Sequence, residues 1–390
     1  MKKRYDVIII GGGVIGCTLA YFLSRASIDV ALIEKGDIAS GTSSGCDGNI
    51  LISDKQPGVD TFLTRESQKL FEQLSFDLPY DFEYMQRGSL LTIESKEEME
   101  IASSFVEQQK KDGYPFRIIS LDTLKAQEPH VADDLLGAVE IDCDSAVNPM
   151  LFSFATAKKA GENGVDILKD CSVRNINLGK SGGVKEVVTD LGTFRTEKVV
   201  NCAGVWAPEI GKMVGINIPI KPRQGQLLVT ETTFQVVKRK VMEFGYMMAK
   251  FGSGEYKRDV SPDLEKLGIA MVIEPTMSGN FLLGSSRAFV GFNKTISIEV
   301  MQGIVRRMVR FFPALRTVNI IRAYAGLRPY VEDHLPIVSA VDRVPGFFIA
   351  AGHEGDGIGL APITGRIMQE LLLDKEPPVP FEHLSFSRFK

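Results

Sequence analysis

A glycine pattern near the start of the chain limits its fold more than any other feature. Three glycines follow the apolar run 7–10 and precede leucines at helical spacing; they are Gly11, Gly13 and Gly16. Such glycines permit a tight turn, a close backbone approach to a pyrophosphate and close packing of a helix on a strand. The pattern therefore predicts a βαβ unit that binds a dinucleotide.

An acidic residue narrows the choice of dinucleotide. Glu34 closes the second apolar run, at the distance from the glycines that the fingerprint requires. A carboxylate there accepts hydrogen bonds from both ribose hydroxyls and repels a 2′-phosphate, which argues against NADP. FAD and NAD share this fingerprint, so the rest of the chain has to separate them.

The end of the chain favours FAD. The apolar run 347–351 enters the glycine-rich turn 352–359, and a helical pattern then continues to Leu373. A reduced flavin needs a hydrogen-bond donor or a positive dipole near its N1 and C2 carbonyl, and a helix N-terminus supplies one. A second G-x-G-x-x-G is missing, so an enzyme that binds both FAD and NADPH is disfavoured. We therefore expect hydride to come from an organic substrate.

Composition excludes several other classes of protein. The chain has 390 residues, 44% of them hydrophobic, with a formal net charge of -4. Single cores stop growing at about 250–300 residues, so two lobes with a cleft between them are expected. Without a basic stretch beyond residues 2–4, nucleic acid is not an expected partner. The absence of an apolar run of about 18 residues predicts no transmembrane segment, and we expect a cytoplasmic location.

The five cysteines predict neither a metal site nor a disulfide framework. They are scattered through the chain without a C-x-x-C pair, which zinc and iron-sulfur sites typically use. Cys46 is the least certain of them, because it lies in the small-residue loop 39–49. That loop is too long and too polar to be a mere connection, so we expect it to face a ligand.

Local patterns place further elements. A helix is predicted over 60–74, a strand over 88–93, and a helix from Ser95, where Glu98 completes a capping box. Asn148 and Pro149 start a helix over 150–159. Short strands at 165–168, 183–188 and 193–201 predict a small β meander. The stretch 220–289 is β-patterned, with a charged surface excursion at 250–266, and a helix follows at 298–312.

Several strings resemble the D-amino acid oxidase family of FAD-dependent oxidoreductases. They are the glycine fingerprint, NCAGVW at 201–206, GLRP at 326–329 and GHEGDGIGLAP at 352–362. The resemblance covers essentially the whole chain. The string GSSRAFVGF at 284–292 and the final glycine turn are most similar to hydrogen cyanide synthase subunits and to β subunits of sarcosine oxidase and D-proline or D-hydroxyproline dehydrogenase. Glycine oxidase is also similar.

The resemblance implies an α/β fold in which a discontinuous Rossmann-like FAD-binding domain carries a β-rich α+β substrate domain. The FAD-binding segments would be 1–80, 145–218 and 326–390, and the substrate segments would be 81–144 and 219–325. It also implies non-covalent FAD, since no cysteine lies near the GLRP element. The cofactor-binding residues carried over are Gly11, Gly13, Val14, Ile15, Gly16, Glu34, Lys35, Thr42, Ser43, Ser44, Gly48, Asn49, Val173, Cys202, Ala203, Gly204, Trp206, Arg328, Gly352, His353, Gly355, Asp356, Gly357 and Ile358.

The resemblance also assigns a substrate role to Arg328. An arginine grips a carboxylate with two parallel hydrogen bonds and so orients the substrate Cα-H toward flavin N5. The alternative for Arg328 is a salt bridge between the lobes. Tyr246 and Tyr330 are candidates to border the substrate, although an aromatic residue in a β-rich lobe more often packs in the core. Met271 stands where glycine oxidase has an aromatic hydroxyl, which predicts a less polar pocket.

These observations predict an FAD-dependent dehydrogenase of D-amino or secondary amino acids, with D-proline or D-hydroxyproline heading the list. Electrons would leave through partner subunits of the FAD/NAD or iron-sulfur type, in a homo- or hetero-oligomer. A glycine or sarcosine oxidase that uses oxygen directly is the alternative in the same class. A flavoprotein subunit that relays electrons without its own substrate is the alternative in a different class.

Overall fold

A computed structural model describes residues 2–247, 258 and 260–389. Its first layer is a six-stranded sheet. The spatial order is β19 (Ile337–Ala340), β20 (Phe347–Ala351), β13 (Lys198–Asn201), β1 (Val7–Ile10), β2 (Val30–Ile33) and β9 (Asp166–Leu168). Only the edge pair β19–β20 is antiparallel, and the other neighbours run parallel. Strands β1 and β2 are buried along their whole length, which explains their uninterrupted apolar sequence.

Three helices pack together beside the parallel sheet. They are α1 (Val14–Leu23), α5 (Pro149–Glu162) and α9 (Gly357–Leu372). The Asn148 side chain caps α5 by accepting from the N–H groups of Met150 and Leu151, as its sequence predicts. Ten consecutive residues of α1 are buried, so this helix lies inside the molecule and is apolar on every side.

The parallel arrangement brings the sequence motifs to one edge of the sheet. Strand β13 lies between β1 and β20, with Asn201 beside both Ile10 and Ile349. The carboxyl ends of these three strands therefore lie side by side. The glycine fingerprint follows β1, the string NCAGVW includes the end of β13, and the final glycine turn follows β20. In open parallel sheets, ligands bind at this edge.

The second layer is an eight-stranded mixed sheet. Its order is β18 (Ile320–Tyr330), β14 (Lys221–Thr230), β17 (Phe281–Gly284), β16 (Val272–Pro275), β15 (Lys240–Glu243), β5 (Ser89–Ile93), β7 (Gly137–Ile141) and β6 (Phe116–Ser120). Neighbours are antiparallel except the pair β15–β5. In the pair β14–β18, Gly225 lies opposite Gly326 and Arg223 lies opposite Arg328.

The remaining elements are smaller sheets and connecting helices. One three-stranded sheet contains β10 (Val173–Leu178), β11 (Val184–Thr189) and β12 (Gly192–Arg195), and the other contains β3 (Asn49–Ile50), β8 (Ser145–Ala146) and β4 (Met85–Gln86). The helices are α2 (Val59–Asp77), α3 (Lys96–Lys111), α4 (Leu121–Gln127), α6 (Ala207–Met213), α7 (Pro262–Lys266) and α8 (Ile298–Phe311). None of the described helices is long and apolar enough to cross a bilayer.

Several local predictions agree with these bounds. The Ser95 side chain caps α3 by accepting from the Glu98 N–H, and Glu98 accepts in turn from the Glu94 N–H. The predicted meander is wrong in part, because 166–168 and 198–201 join the parallel sheet. Residues 250–257 and 259 of the predicted surface excursion lie outside the described residues, and 262–266 form α7.

The division of the chain into domain segments stays a prediction. Strands β5 to β7 and β14 to β18 form the eight-stranded sheet, while the parallel sheet draws its strands from the segments assigned to FAD binding. The proposed boundary at 325/326 falls inside β18. That strand therefore crosses the proposed boundary while it stays paired with β14 along its whole length.

Candidate active site

A cavity of about 350 Å³ lies at the carboxyl edge of the parallel sheet, between the two large sheets. The turns after β1, β13 and β20 line it from one side. From the other side it is lined by Gly225 and Leu227 of β14 and by residues 326–329 of β18. The loop that contains Thr42 and Ser43 also lines it, as the sequence predicted for a ligand-facing segment.

Two glycines of the fingerprint sit where a side chain would collide with backbone. Gly11 has a φ of +113°, and a Cβ there would stand 2.5 Å from the Cys202 carbonyl oxygen. A Cβ at Gly16 would stand 1.9 Å from the Gly11 carbonyl oxygen. The absence of a side chain at Gly16 lets α1 approach β1 closely, and the N-terminus of α1 opens onto the cavity.

Glu34 is held in a defined orientation at the cavity wall. One carboxylate oxygen accepts from the Gly12 N–H at 2.7 Å, and the other accepts from the Gly36 N–H at 2.8 Å. Each oxygen keeps further lone-pair capacity for ribose hydroxyls. The bare glycine turn and this fixed carboxylate fit the pyrophosphate and ribose of a dinucleotide.

Side chains farther along the cavity continue this wall. Lys35 lies over the Trp206 ring, with Nζ 3.5 Å from the ring centre, and both residues line the cavity. Ser43 Oγ accepts from the Val14 N–H at 3.0 Å, which ties the loop to the first turn of α1. Thr42 Oγ1 donates to the Leu327 carbonyl at 2.8 Å and so ties the same loop to β18.

The final glycine turn is held by buried polar contacts. His353 Nε2 lies 2.9 Å from Thr364 Oγ1, and burial lowers the pKa of His353 to about 4. This imidazole is therefore neutral at neutral pH. Glu354 is buried, has a left-handed φ of 50°, and pairs with both Arg223 and His334. The contacts with Arg223 and His334 hold the turn in a conformation that side chains rarely adopt.

A second, smaller cavity of about 30 Å³ adjoins the first and shares Asp47, Arg328 and Gly355 with it. Tyr246 lines it together with a buried lysine between two carboxylates. Lys55 Nζ lies 2.5 Å from Asp54 and 2.6 Å from Asp356. Although burial opposes its charge, Asp356 and Asp54 raise the pKa of Lys55 well above its ordinary value. The small cavity is thus polar and lies beside the N-terminus of α9.

Arg328 stands at the junction of the two cavities. Its Nη1 donates to the Ser286 carbonyl at 3.0 Å. Its guanidinium lies against the backbone of Gly225, where an added Cβ would stand 2.3 Å from Nη1. Among the residues that the structure describes, no carboxylate forms an ion pair with Arg328. The alternative of a salt bridge between lobes therefore has no support here.

The other predicted substrate residues lie in different places. Tyr246 lines the small cavity. Tyr330 contacts Arg223, Phe289 and His334, and it lines neither described cavity. Met271 is fully buried in an apolar cluster with Ile273 and Leu283 under the eight-stranded sheet. Met271 and Tyr330 therefore lie outside both described cavities, and their role at the substrate stays a prediction.

Most predicted cofactor residues line the large cavity. They are Gly11, Gly13, Val14, Ile15, Glu34, Lys35, Thr42, Ser43, Val173, Cys202, Ala203, Gly204, Trp206, Arg328, Gly352, His353, Gly355, Gly357 and Ile358. Asn49 and Asp356 line the small cavity instead. Gly16, Ser44 and Gly48 line neither: Gly16 and Gly48 make close backbone approaches, and Ser44 is exposed. Their roles stay predictions.

Sequence reasoning missed the charged residues around the small cavity. Lys55, Arg223, Lys240 and Glu274 are all buried, and each belongs to an ion pair. Burial, with the Asp47 charge adding to it against the opposing Lys240, raises the pKa of Glu274 to about 7. The signal in the sequence that could have predicted them is a charged residue within an otherwise apolar strand pattern, as at Lys240 and Glu243. Burial also raises the pKa of the Cys46 and Cys202 thiols, so neither is a reactive thiolate.

Comparison with known proteins decides the family. The family model described as "FAD dependent oxidoreductase" (DAO) matches residues 6–371. The chain belongs to this family. It is an FAD-dependent oxidoreductase, and its glycine turn, Glu34 and the N-terminus of α9 form a site that fits this cofactor.

Named relatives match over nearly the full length. Hydrogen cyanide synthase subunit HcnC of Pseudomonas protegens is 30% identical, over 100% of this chain and 97% of that protein. Glycine oxidase of Geobacillus kaustophilus is 27% identical, over 100% of this chain and 98% of that protein. The structure of L-proline dehydrogenase from P. horikoshii has a TM-score of 0.89 at 25% identity and covers 100% of this chain and 98% of that chain.

Proposed function

We propose that this oxidoreductase oxidises a D-amino acid or secondary amino acid, with D-proline and D-hydroxyproline first among the substrates. The observation that carries the proposal is Arg328, a guanidinium without a carboxylate partner among the described residues. It stands at the junction between the large cavity and the small polar one. An arginine in this state suits the bidentate binding of a substrate carboxylate.

The residues of the large cavity would hold FAD through three contacts. The turn 11–16 and the N-terminus of α1 would receive the pyrophosphate, and Glu34 would accept from the ribose. The N-terminus of α9 would place a positive dipole near the flavin. When bound, FAD supplies the chemistry by accepting a hydride from the carbon next to the substrate nitrogen.

The chain itself would contribute orientation more than acid-base chemistry. Arg328 would fix the carboxylate, and Tyr246 would border the substrate in the small cavity. His353 is neutral and bonded to Thr364, so it suits a structural contact with the cofactor better than proton abstraction. Substrate that binds as the neutral amine needs no strong base, so fixing its position supplies the main catalytic effect.

The relatives support a proline-type substrate and electron transfer to partners. L-proline dehydrogenase is named for the oxidation of proline, and HcnC is named as a subunit of hydrogen cyanide synthase. We propose that this chain is likewise the catalytic subunit of a dehydrogenase. Its electrons would pass to partner subunits that carry FAD/NAD-type or iron-sulfur centres. If the chain purified alone is fully active and consumes oxygen, the proposal that it needs partner subunits is wrong.

A second candidate is a glycine or sarcosine oxidase that passes electrons directly to oxygen. The likeness to glycine oxidase of Geobacillus kaustophilus over the full chain favours it. Oxygen uptake with glycine or sarcosine as the only substrate separates it from the dehydrogenase. A third candidate is a subunit that only relays electrons and has no substrate of its own. Arg328→Ala tests it, because a relay subunit should not lose amino-acid turnover specifically.

The test is Arg328→Ala against Arg322→Ala, an exposed arginine on the same strand. Truncating one partner of a buried charged contact costs about 2–5 kcal/mol, so kcat/KM for the amino acid should fall by about 100-fold or more. FAD content should stay unchanged in both variants. If Arg328→Ala keeps the full amino-acid turnover of the wild type, the substrate role is wrong.

A further inference from the structure

Two guanidinium groups near the small cavity form no ion pair with a carboxylate among the described residues. One is Arg328, which donates to the Ser286 carbonyl. The other is Arg287, the next residue after Ser286, whose Nη1 is buried and has no hydrogen-bond partner. A buried, unpaired donor of a charged group costs free energy, so this atom calls for an acceptor.

The acidic groups nearby already have cationic partners. Glu354 pairs with Arg223. Asp54 and Asp356 pair with Lys55, and Asp47 and Glu274 pair with Lys240. The acceptor for Arg287 is therefore best supplied by a ligand.

The position of Arg287 relates it to the substrate side of the site. Its guanidinium lies over the ring of Tyr246, with Cζ 4.4 Å from the ring centre, and Tyr246 lines the same small cavity as Arg328. Burial and the Arg328 charge both lower the pKa of Arg287, against the opposing effects of Tyr246 and Asp54. The two arginines thus lie within electrostatic range of each other, and an anion between them would relieve their repulsion.

We propose that Arg287 binds the substrate carboxylate together with Arg328, which makes it a second residue that selects for carboxylate-bearing amines. This inference rests on the proposed function. A carboxylate has about four lone-pair sites on two oxygens, so it can accept from two guanidinium groups at once. An amine without the carboxylate would leave both charges desolvated and unpaired. The site therefore discriminates strongly against amines that lack a carboxylate.

The first experiment compares Arg287→Gln, Arg287→Lys and the exposed control Arg322→Gln in the FAD-loaded protein. D-Proline and D-prolinamide, which differ in the carboxylate, are titrated anaerobically while the flavin absorbance is followed. In Arg287→Gln, the apparent Kd for D-proline should rise by about 10–100-fold, while the limiting rate of flavin reduction changes less than about threefold. Binding of D-prolinamide should become tighter, because the variant lacks one of the two charges that this amide would leave unpaired. Arg287→Lys should recover part of the affinity.

The second experiment measures thermal unfolding with and without pyrrole-2-carboxylate, a planar carboxylate that cannot donate the hydride. Without ligand, Arg287→Gln should unfold at the same or a higher temperature than the wild type, because it removes one of two repelling charges. With ligand, the wild type should gain more than the variant. A merely structural arginine that packs on Tyr246 would give the opposite result without ligand.

Three results would overturn the inference. One is an unchanged affinity of Arg287→Gln for D-proline. Another is a loss of stability of that variant without ligand, combined with a normal response to pyrrole-2-carboxylate. The third is an effect confined to substrates with a second carboxylate, such as D-glutamate, which would assign Arg287 to a different anion. If no amino acid reduces the wild-type flavin, the proposed function fails, and the unfolding experiment still tests the pair of arginines.

Discussion

The two ends of the active-site cleft are built in different ways. At the nucleotide end, backbone groups and glycines make much of the surface, and Glu34 and Lys35 are among the charged side chains that line it. At the proposed substrate end, charged side chains from distant parts of the chain form the surface, including Lys55, Arg328 and Asp356. The nucleotide end should therefore be sensitive to any added side-chain atom that collides with the backbone. The proposed substrate end should instead be sensitive to the removal of one charged partner.

The largest effect, a loss of FAD affinity, is expected from Gly16→Ala, which disturbs the nucleotide end. The added Cβ would stand 1.9 Å from the Gly11 carbonyl oxygen, so α1 has to move away from the turn. We expect the Kd for FAD to rise at least about 1000-fold, or about 4 kcal/mol. The measurement is flavin absorbance per chain after dialysis.

The matched control is Gly161→Ala, another helical glycine, whose added Cβ meets only Ile167 Cδ1 at 3.5 Å. It should keep its FAD. A Gly16→Ala protein with full FAD content would show that close helix packing is not what forms the nucleotide end.

A smaller effect concerns His353, in the turn between the two ends. Its folded pKa of about 4 lies below the unfolded value of about 6.5, so the unfolded chain binds a proton that the folded chain excludes. Stability is therefore complete above about pH 6.5 and is lost as the pH falls toward 4. At pH 4.5 the loss should be about 2.5 kcal/mol relative to pH 7.

Urea unfolding of the wild type and His353→Gln at both pH values, with excess FAD, checks this sign. Glutamine does not titrate, so the variant should lose about 2.5 kcal/mol less than the wild type over the same interval. Parallel losses in the two proteins would mean that the imidazole is not kept neutral by burial.

The smallest effect is expected from Gly225→Ala, which perturbs the charged end through one methyl group. Its Cβ would meet the mobile end of Arg328, so the guanidinium should shift while the fold remains. We expect kcat/KM for the amino acid to fall about tenfold, or about 1.4 kcal/mol, with FAD content unchanged. Steady-state kinetics and FAD content give both values.

A double-mutant cycle sharpens this prediction. In an Arg328→Ala background, Gly225→Ala should have no further effect on kcat/KM, because the group that it displaces is gone. Additive losses would show that Gly225 acts through something other than Arg328.

The same contrast explains how much the sequence could predict. The nucleotide end is encoded locally, since three glycines and Glu34 stand at fixed spacing within one βαβ unit. The substrate role of Arg328 was predicted only from the resemblance of the GLRP string to the family. Tyr246 and Tyr330 could not be separated by sequence, because which of two aromatic residues reaches the cavity depends on the packing of two sheets.

The charge network was not predictable for a related reason. Lys55 and Asp356 are 301 positions apart, and their ion pair exists only because α9 packs beside the segment after β3. The mixed outcome for the meander has the same origin. The short runs at 166–168 and 198–201 look like meander strands, yet they pair with distant strands of the parallel sheet.

The central claim is that this oxidoreductase takes hydride from an amino acid held by Arg328. The most direct test is the anaerobic visible spectrum of the FAD-loaded chain during separate additions of D-proline, D-hydroxyproline, sarcosine and glycine. The account predicts that at least one of them bleaches the flavin band, with D-proline or D-hydroxyproline the fastest. If dithionite reduces the flavin but none of these amino acids reduces it, the claim is contradicted.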